Sequence, residues 1–125
     1  MSENELSAVI VDCCYKVHTT IGPGLLESVY EEVLGYELTR AGLNISRQEA
    51  IPVIYDNIKM DIGFRADIIV EHKVIIEIKS IEQLAPVHPK ILLTYLRLTK
   101  IKLGLLVNFN VELIKNGIKR VVNGL

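Results

Sequence analysis

Three charged side chains lie inside two apolar runs in the middle of the chain. Asp67 belongs to the first run, residues 66–70, while Glu77 and Lys79 belong to the second, residues 74–79. Burying an ionised group costs several kcal/mol unless it is paired or binds a metal, so these three residues need a chemical or structural reason. Two carboxylates held close together are suited to binding a divalent cation.

The two runs are rich in β-branched residues and are separated by the polar residues 71–73, which predicts a buried β-hairpin. If the turn centres on His72, residues whose numbers sum to 144 face each other, and Asp67 lies opposite Glu77. The link contains no Gly or Asn, so turn chemistry alone does not fix this register. Carboxylates about 5 Å apart repel unless a cation lies between them. Oxygen ligands of this kind suit Mg²⁺ or Mn²⁺.

The same three residues also permit a purely structural interpretation. Glu77 and Lys79 are two positions apart and share one face of a strand, where they can form an ion pair. Asp67 would then be hydrogen-bonded to the strand edge. In that case the charges stabilise the hairpin and have no chemical role.

Motifs along nearly the whole chain resemble a known family of nucleases. Asp67 followed by Glu77-Ile78-Lys79 is similar to the Asp…(Asp/Glu)-x-Lys signature of the PD-(D/E)xK, or restriction-endonuclease-like, superfamily. The heptad Gly24-Leu25-Leu26-Glu27-Ser28-Val29-Tyr30 resembles the motif after which the small GxxExxY family is named. Further resemblances to that family are Arg47-Gln48, Tyr55, His88, Tyr95-Leu96, Gly104-Leu105-Leu106 and Asn108-Phe109.

The resemblance implies a nuclease that uses Mg²⁺ or Mn²⁺ to hydrolyse DNA or RNA. It implies that Asp67 and Glu77 bind the metal, together with the carbonyl of Ile78 and with Glu27 from a helix before the sheet. Lys79 would position the attacking water and stabilise the charge on the phosphate. By geometry alone, Glu27 is equally a solvated carboxylate that is favourable near a helix N-terminus.

Five further polar residues are candidates for substrate binding: Arg47, Gln48, Arg65, His88 and Lys90. The two arginines can clamp a phosphate, although arginines at the surface are common. Gln48 can orient water or substrate, or it can satisfy the backbone of the sheet. His88 lies between two prolines, where a capping or surface role is the commoner one.

One predicted helix departs from the family. Members usually carry a Gln three residues after the His, where this chain has Ile91. At the position before the Tyr, where members have an Asn-like residue, this chain has Thr94. Lys90 is polar but turned about 100° around the helix, so it is a poor replacement. Losing such a group can cost about 10–100-fold in metal affinity or activity. The alternative function is therefore a catalytically weak or inactive module that binds nucleic acid or a protein partner.

Composition predicts one domain, residues 1–125, because half of the residues are hydrophobic and the length suits a single core. The absence of a signal pattern and of a long apolar run predicts a cytoplasmic protein without membrane contact. Cys13 and Cys14 have no other cysteine to pair with and are expected to be reduced thiols in or near the core. A homodimer is a further alternative, since a short chain leaves apolar helix surface for a partner.

The net charge of −1 conceals an asymmetry along the chain. Residues 1–85 contain 7 Lys and Arg against 14 Asp and Glu, whereas residues 86–125 contain 7 against the single acid Glu112. A basic C-terminal third beside an acidic centre suits a phosphate backbone held over a metal site. An ordinary solvated surface or a dimer contact explains the same distribution.

Hydrophobic periodicity predicts the elements that must position these residues. The predicted fold is α/β, a restriction-endonuclease-like mixed central sheet flanked by helices, with two N-terminal helices, a β-meander, a crossover helix and C-terminal strands. The predicted helices cover residues 4–19, 25–41 and 89–100, and the predicted strands cover 45–55, 58–64, 66–70, 74–79 and 103–109. Residues 80–89 are a connection that contains His88, and residues 111–122 form a terminal hairpin with its turn at Asn116-Gly117.

Overall fold

The computed structural model describes all 125 residues and shows a mixed five-stranded sheet flanked by helices. The elements are α1 (Glu3–Ile21), α2 (Glu27–Arg40), β1 (Ile45–Tyr55), β2 (Ile58–Val70), β3 (Val74–Lys79), α3 (Val87–Thr99), β4 (Leu103–Asn108), a short 3₁₀ helix (Ile114–Asn116) and β5 (Ile118–Val122). The α/β class and the restriction-endonuclease-like arrangement predicted from the sequence are confirmed. The two predicted segments 58–64 and 66–70 form one continuous strand, β2.

The strands lie in the sheet in sequence order, from β1 to β5. Only β3 and β4 run parallel, and α3 makes the crossover between them. In the β2–β3 pair, Ile68 faces Ile76 and Val70 faces Val74, so the predicted register with a sum of 144 is confirmed.

A tertiary contact stabilises the β2–β3 turn, which has no Gly or Asn. Glu71 and His72 adopt left-handed backbone with φ of 52° and 53°. The Glu71 carboxylate accepts a hydrogen bond of 3.0 Å from the backbone N of Asn44, and Glu71 N donates to the Asn44 carbonyl at 2.8 Å. These bonds between the turn and the start of β1 hold a conformation that the local sequence does not favour.

The sheet separates two hydrophobic clusters. On one face, side chains such as Ile76 and Ile78 pack with residues of α1 and α2, and on the other face Ile75 packs with residues of α3. Cys13 and Cys14 are free and buried with the first cluster, and burial raises the pKa of both thiols. The prediction of core thiols is therefore confirmed. None of the three α-helices has the length and apolar character needed to cross a membrane.

Helix α3 begins two residues earlier than predicted, at Val87. His88 therefore lies in the first turn of α3, and its Nδ1 accepts a hydrogen bond of 2.9 Å from the backbone N of Ala85. This bond satisfies an amide that precedes the helix, so His88 stabilises the helix start.

The predicted terminal hairpin at residues 111–122 is wrong. Residues Ile114–Asn116 form a 3₁₀ helix, and β5 pairs with β4, so that Val107 faces Ile118. Gly117 is needed for its small size and not for a hairpin turn. Its carbonyl accepts a hydrogen bond of 2.8 Å from Asn108 N, and a Cβ on Gly117 would overlap the Asn108 carbonyl oxygen. The Asn-Gly pair thus permits a close approach of two backbone segments.

We expect Gly117→Ala to lower the free energy of unfolding by about 2 kcal/mol or more, because the added methyl collides with backbone that cannot move aside cheaply. Thermal or urea denaturation measures this change. Asn116→Ala is the matched control beside it and should stay within about 0.5 kcal/mol of the parent chain. Equal stability of the two variants would contradict the close approach.

Candidate active site

Two carboxylates continue the β2–β3 ladder beyond its last backbone pair, Ile68 with Ile76. Asp67 N donates a hydrogen bond of 2.9 Å to Glu77 Oε2, and Ile78 N donates one of 2.8 Å to Asp67 Oδ2. Each side chain therefore takes the place of a backbone acceptor where the strands diverge. The structure brings Asp67 and Glu77 together, as the hairpin register predicted.

The acidic pair carries negative charge that the surrounding protein does not neutralise. Burial, and after it the charge of Asp67, raises the pKa of Glu77 from its ordinary 4.5 to about 8. The bond from Asp67 N and the charge of Lys79 act in the opposite direction but do not cancel these effects. The negative field also reaches α3, since burial and then the charges of Glu77 and Asp67 raise the pKa of Tyr95. A bound cation would relieve this repulsion.

Lys79 is half-buried on β3, two positions from Glu77. The structure contains four ion pairs within 4.0 Å, and Lys79 is in none of them. The amine is thus near enough to lower the pKa of Glu77 but is not held against that carboxylate. The Glu77–Lys79 ion pair required by the purely structural interpretation is absent, whereas the hydrogen bond from Ile78 N to Asp67 is of the kind that interpretation expects.

Glu31 is a site residue that the sequence analysis missed. It lies on α2 and is 8% exposed. Its Oε2 accepts from Arg47 Nε at 3.1 Å and Nη2 at 2.9 Å, and its Oε1 accepts from Gln48 Nε2 at 2.6 Å. The same Gln48 nitrogen donates to Asp67 Oδ1 at 3.1 Å. Glu31 is therefore connected to the acidic pair through one amide group.

A sequence signal for Glu31 exists in its spacing. Glu31 is one helical turn beyond Glu27, so the two acids share a face, and Glu31 directly follows Tyr30 in the apolar stripe of α2. An acid at the border of a buried stripe requires a partner, and Arg47 is that partner. Arg47 also pairs with Glu32 at 3.0 Å, so its guanidinium binds α2 to β1 and is not free to clamp a phosphate in this arrangement.

The heptad Gly24–Tyr30 covers the end of the loop between α1 and α2 and the first residues of α2. The Tyr30 hydroxyl donates to the Gly22 carbonyl at 2.7 Å and accepts from Leu25 N at 3.1 Å, while its ring stacks on Phe109 at 4.5 Å. Gly24 has a φ of 96°, which favours glycine at this bend. The loop places Glu27 as the exposed first residue of α2.

A cavity of about 300 Å³ unites these residues, and three carboxylates line it. Its lining consists of Glu27, Ser28, Glu31, Gln48, Asp67 and Ile78. Two larger cavities of about 510 and 520 Å³ lie elsewhere on the molecule, and neither contains a member of the acidic pair. Chemistry therefore favours the smaller cavity as the candidate site.

The remaining candidates lie outside this cluster or at its edge. Arg65 is exposed and donates to the Gln48 carbonyl at 3.4 Å. His88 is used at the start of α3, and Lys90 is exposed on the same helix without a hydrogen bond or ion pair from its side chain. Ile91 is 40% exposed and does not line the cavity.

The oxygen atoms of these carboxylates are chemically suited to a hard divalent cation. The cavity and the adjacent Glu77 offer carboxylate oxygens without a cysteine or histidine, which suits Mg²⁺ or Mn²⁺. The raised pKa of Glu77 reflects a charge that a cation would compensate. No group of three or more Asp, Glu, His or Cys side chains is gathered into a metal-binding geometry. Both carboxylate oxygens of Asp67 accept hydrogen bonds from protein donors, namely Gln48 and the backbone N of Ile78.

The fold and the acidic site define a class of protein, and sequence comparison identifies it. The family model of the PD-(D/E)XK nuclease superfamily matches residues 4–121, so the chain belongs to this superfamily. Comparisons with curated proteins and with solved structures gave no match.

Proposed function

We propose that this protein is a Mg²⁺-dependent nuclease of the GxxExxY type that hydrolyses phosphodiester bonds in DNA or RNA. The observation that carries the proposal is the meeting of Asp67 and Glu77 at the end of the β2–β3 ladder, with Lys79 two residues further on. Membership of the superfamily supports the same reaction. The heptad that leads into Glu27 supports the narrower assignment.

Asp67, Glu77, Glu27 and the carbonyl of Ile78 are the proposed ligands of the cation. A cation held by these residues would supply Lewis-acid chemistry, namely a lower pKa for the attacking water and compensation of charge on the scissile phosphate. Three of the four residues, Glu27, Asp67 and Ile78, line one cavity, and the fourth, Glu77, accepts a hydrogen bond from the backbone N of Asp67.

The protein's own groups orient the reactants. The Lys79 amine, held by β3 but free of an ion pair, positions the attacking water and stabilises the negative charge that develops on the phosphate. Tyr95 stacks on Phe64 with ring centroids 3.8 Å apart, and burial followed by the charges of Glu77 and Asp67 raises the pKa of its hydroxyl. The basic residues of the C-terminal third attract the nucleic-acid backbone.

We expect Lys79→Ala to reduce cleavage by about 10²–10³-fold, because it removes a charged donor from the transition state. The assay uses labelled single-stranded and double-stranded DNA and RNA in Mn²⁺. Lys59→Ala is the matched control, since Lys59 is an exposed lysine on the distal part of β2. Cleavage that persists in Lys79→Ala would indicate a contaminating nuclease and would contradict the proposal.

The alternative is a nuclease-fold module that binds nucleic acid without cleaving it. The observation that favours it is Ile91, an exposed apolar residue at the position where the resemblance to the GxxExxY family implies a Gln. Such a module would bind nucleic acid equally well in EDTA, whereas the enzyme would require the metal and would lose Mn²⁺ binding in Asp67→Ala. Light scattering on the same samples measures whether the chain forms a homodimer.

A further inference from the structure

Gln48 has an unusual backbone for a residue inside a strand. Its φ is 53°, and every other non-glycine residue with a positive φ lies in a turn or at a helix end. The β1–β2 pairing passes from Arg47 opposite Ile68 to Glu49 opposite Ala66 and omits Gln48. A long side chain in this conformation is strained, and such strain persists only where the surroundings enforce it.

The strained conformation directs the Gln48 amide to two acceptors. Nε2 lies 2.6 Å from Glu31 Oε1 and 3.1 Å from Asp67 Oδ1. A carboxylate oxygen only accepts, and the amide nitrogen carries two hydrogens, so both hydrogens are used. The orientation of the amide is therefore determined by its two acidic neighbours.

Glu31 is in turn fixed by groups outside the reaction site. It is 8% exposed, and Arg47 donates to its second oxygen at 2.9 and 3.1 Å. Both Glu31 oxygens thus have protein donors, which distinguishes Glu31 from Glu27 on the preceding turn, whose side chain makes no hydrogen bond or ion pair in the structure.

We infer that Glu31 is a positioning residue that acts through Gln48 to fix the Asp67 carboxylate for the metal and the substrate. Its effect on turnover rests on the proposed nuclease function. Asp67 has one oxygen held by Gln48 and the other by Ile78 N at 2.8 Å. Without the amide, Asp67 can rotate between several positions, and this loosens its bond to Ile78 as well.

The Ile78 amide is a reporter of Asp67 that requires neither metal nor activity. We expect Gln48→Gly and Glu31→Gln to accelerate hydrogen exchange of Ile78 N–H in EDTA by about tenfold. The same variants should bind Mn²⁺ about 10–100-fold more weakly and show a lower kcat with an unchanged KM for nucleic acid. Gln48→Gly relieves the strain, so its melting temperature should equal or exceed that of the parent chain.

Lys100→Gly is the matched control. Lys100 also has a positive φ, 60°, but it lies at the end of α3, and its side chain makes no hydrogen bond or ion pair. This variant also relieves the strain of a left-handed backbone conformation, and it should leave the hydrogen exchange of Ile78 N–H, the Mn²⁺ affinity and cleavage unchanged. A change in all three would attribute the effect to stability and overturn the inference.

Two results would overturn the inference directly. The first is a Gln48→Gly variant whose Ile78 N–H exchanges at the same rate as in the parent chain and whose Mn²⁺ affinity is unchanged. The second is loss of Mn²⁺ binding in Glu31→Gln with parental Ile78 exchange, which would make Glu31 a metal ligand. A parent chain that cleaves no nucleic acid, but whose variants show the expected exchange, refutes the nuclease function and leaves the positioning of Asp67 supported.

Discussion

Replacing Asp67 by Asn is expected to reduce metal-dependent cleavage by at least about 10³-fold while the protein remains folded. The substitution keeps an oxygen that can accept from Ile78 N, so the local hydrogen bond at the end of β2 is retained. It removes the charge of Asp67, one of the two carboxylates proposed to bind the cation. Calorimetric titration should show that Mn²⁺ binding is lost together with cleavage.

The same substitution has a second measurable consequence. The charge of Asp67 is one of the causes that raise the pKa of Glu77, so Asp67→Asn should lower that pKa. Asp61→Asn is the matched control, because Asp61 is an exposed acid on the same strand. An Asp67→Asn protein that binds Mn²⁺ and cleaves as the parent chain does would refute the assignment of the acidic pair.

In the absence of metal, the stability of the protein is expected to fall as the pH rises from about 4.5 to about 8 through ionisation of Glu77. The folded-state pKa is raised, so the protonated carboxyl contributes fully at low pH and its contribution is lost as the proton leaves. A tenfold change in proton affinity is worth about 1.4 kcal/mol, and for this coupled pair we expect a loss of about 2–4 kcal/mol at pH 9. Urea denaturation in EDTA across this pH range measures it.

Glu77→Gln isolates this effect from other titrations. The variant retains an oxygen for the Asp67 amide but cannot ionise, so in EDTA at pH 9 it should be more stable than the parent chain. Addition of Mn²⁺ should stabilise the parent chain and not the variant, because a ligand that binds only the folded state raises its stability. Glu82→Gln, at an exposed carboxylate, should not differ from the parent. If the free energy of unfolding depended on pH in the same way in all three proteins, the raised pKa of Glu77 would be contradicted.

Ionisation of both members of the acidic pair thus lowers the stability of the folded protein. An apolar pair at the end of the β2–β3 ladder would remove the repulsion between Asp67 and Glu77. Local rules are commonly broken at functional sites, and the strained Gln48 backbone beside the pair is a second such violation. Gln48, Asp67 and Glu77 are neighbours in the structure, so both violations lie at the site of the proposed chemistry.

The sequence by itself determined the helices, most strands and the core of the candidate site. The β2–β3 hairpin was predictable because side chains alternate along a strand, so one assumption about the turn placed Asp67 opposite Glu77. The buried strand β4 and its parallel pairing followed from an uninterrupted apolar run after a helix. These features depend on local periodicity, which a linear sequence records directly.

Only the tertiary structure decided which polar residues join the acidic pair. Glu31 and Gln48 are separated by 17 positions and belong to a helix and a strand, so their 2.6 Å contact depends on how α2 packs against β1. Periodicity does not encode that distance. For the same reason Asn116-Gly117, a strong local turn signal, is overridden: β5 gains a full ladder by pairing with β4, and Gly117 is needed for its close approach to Asn108.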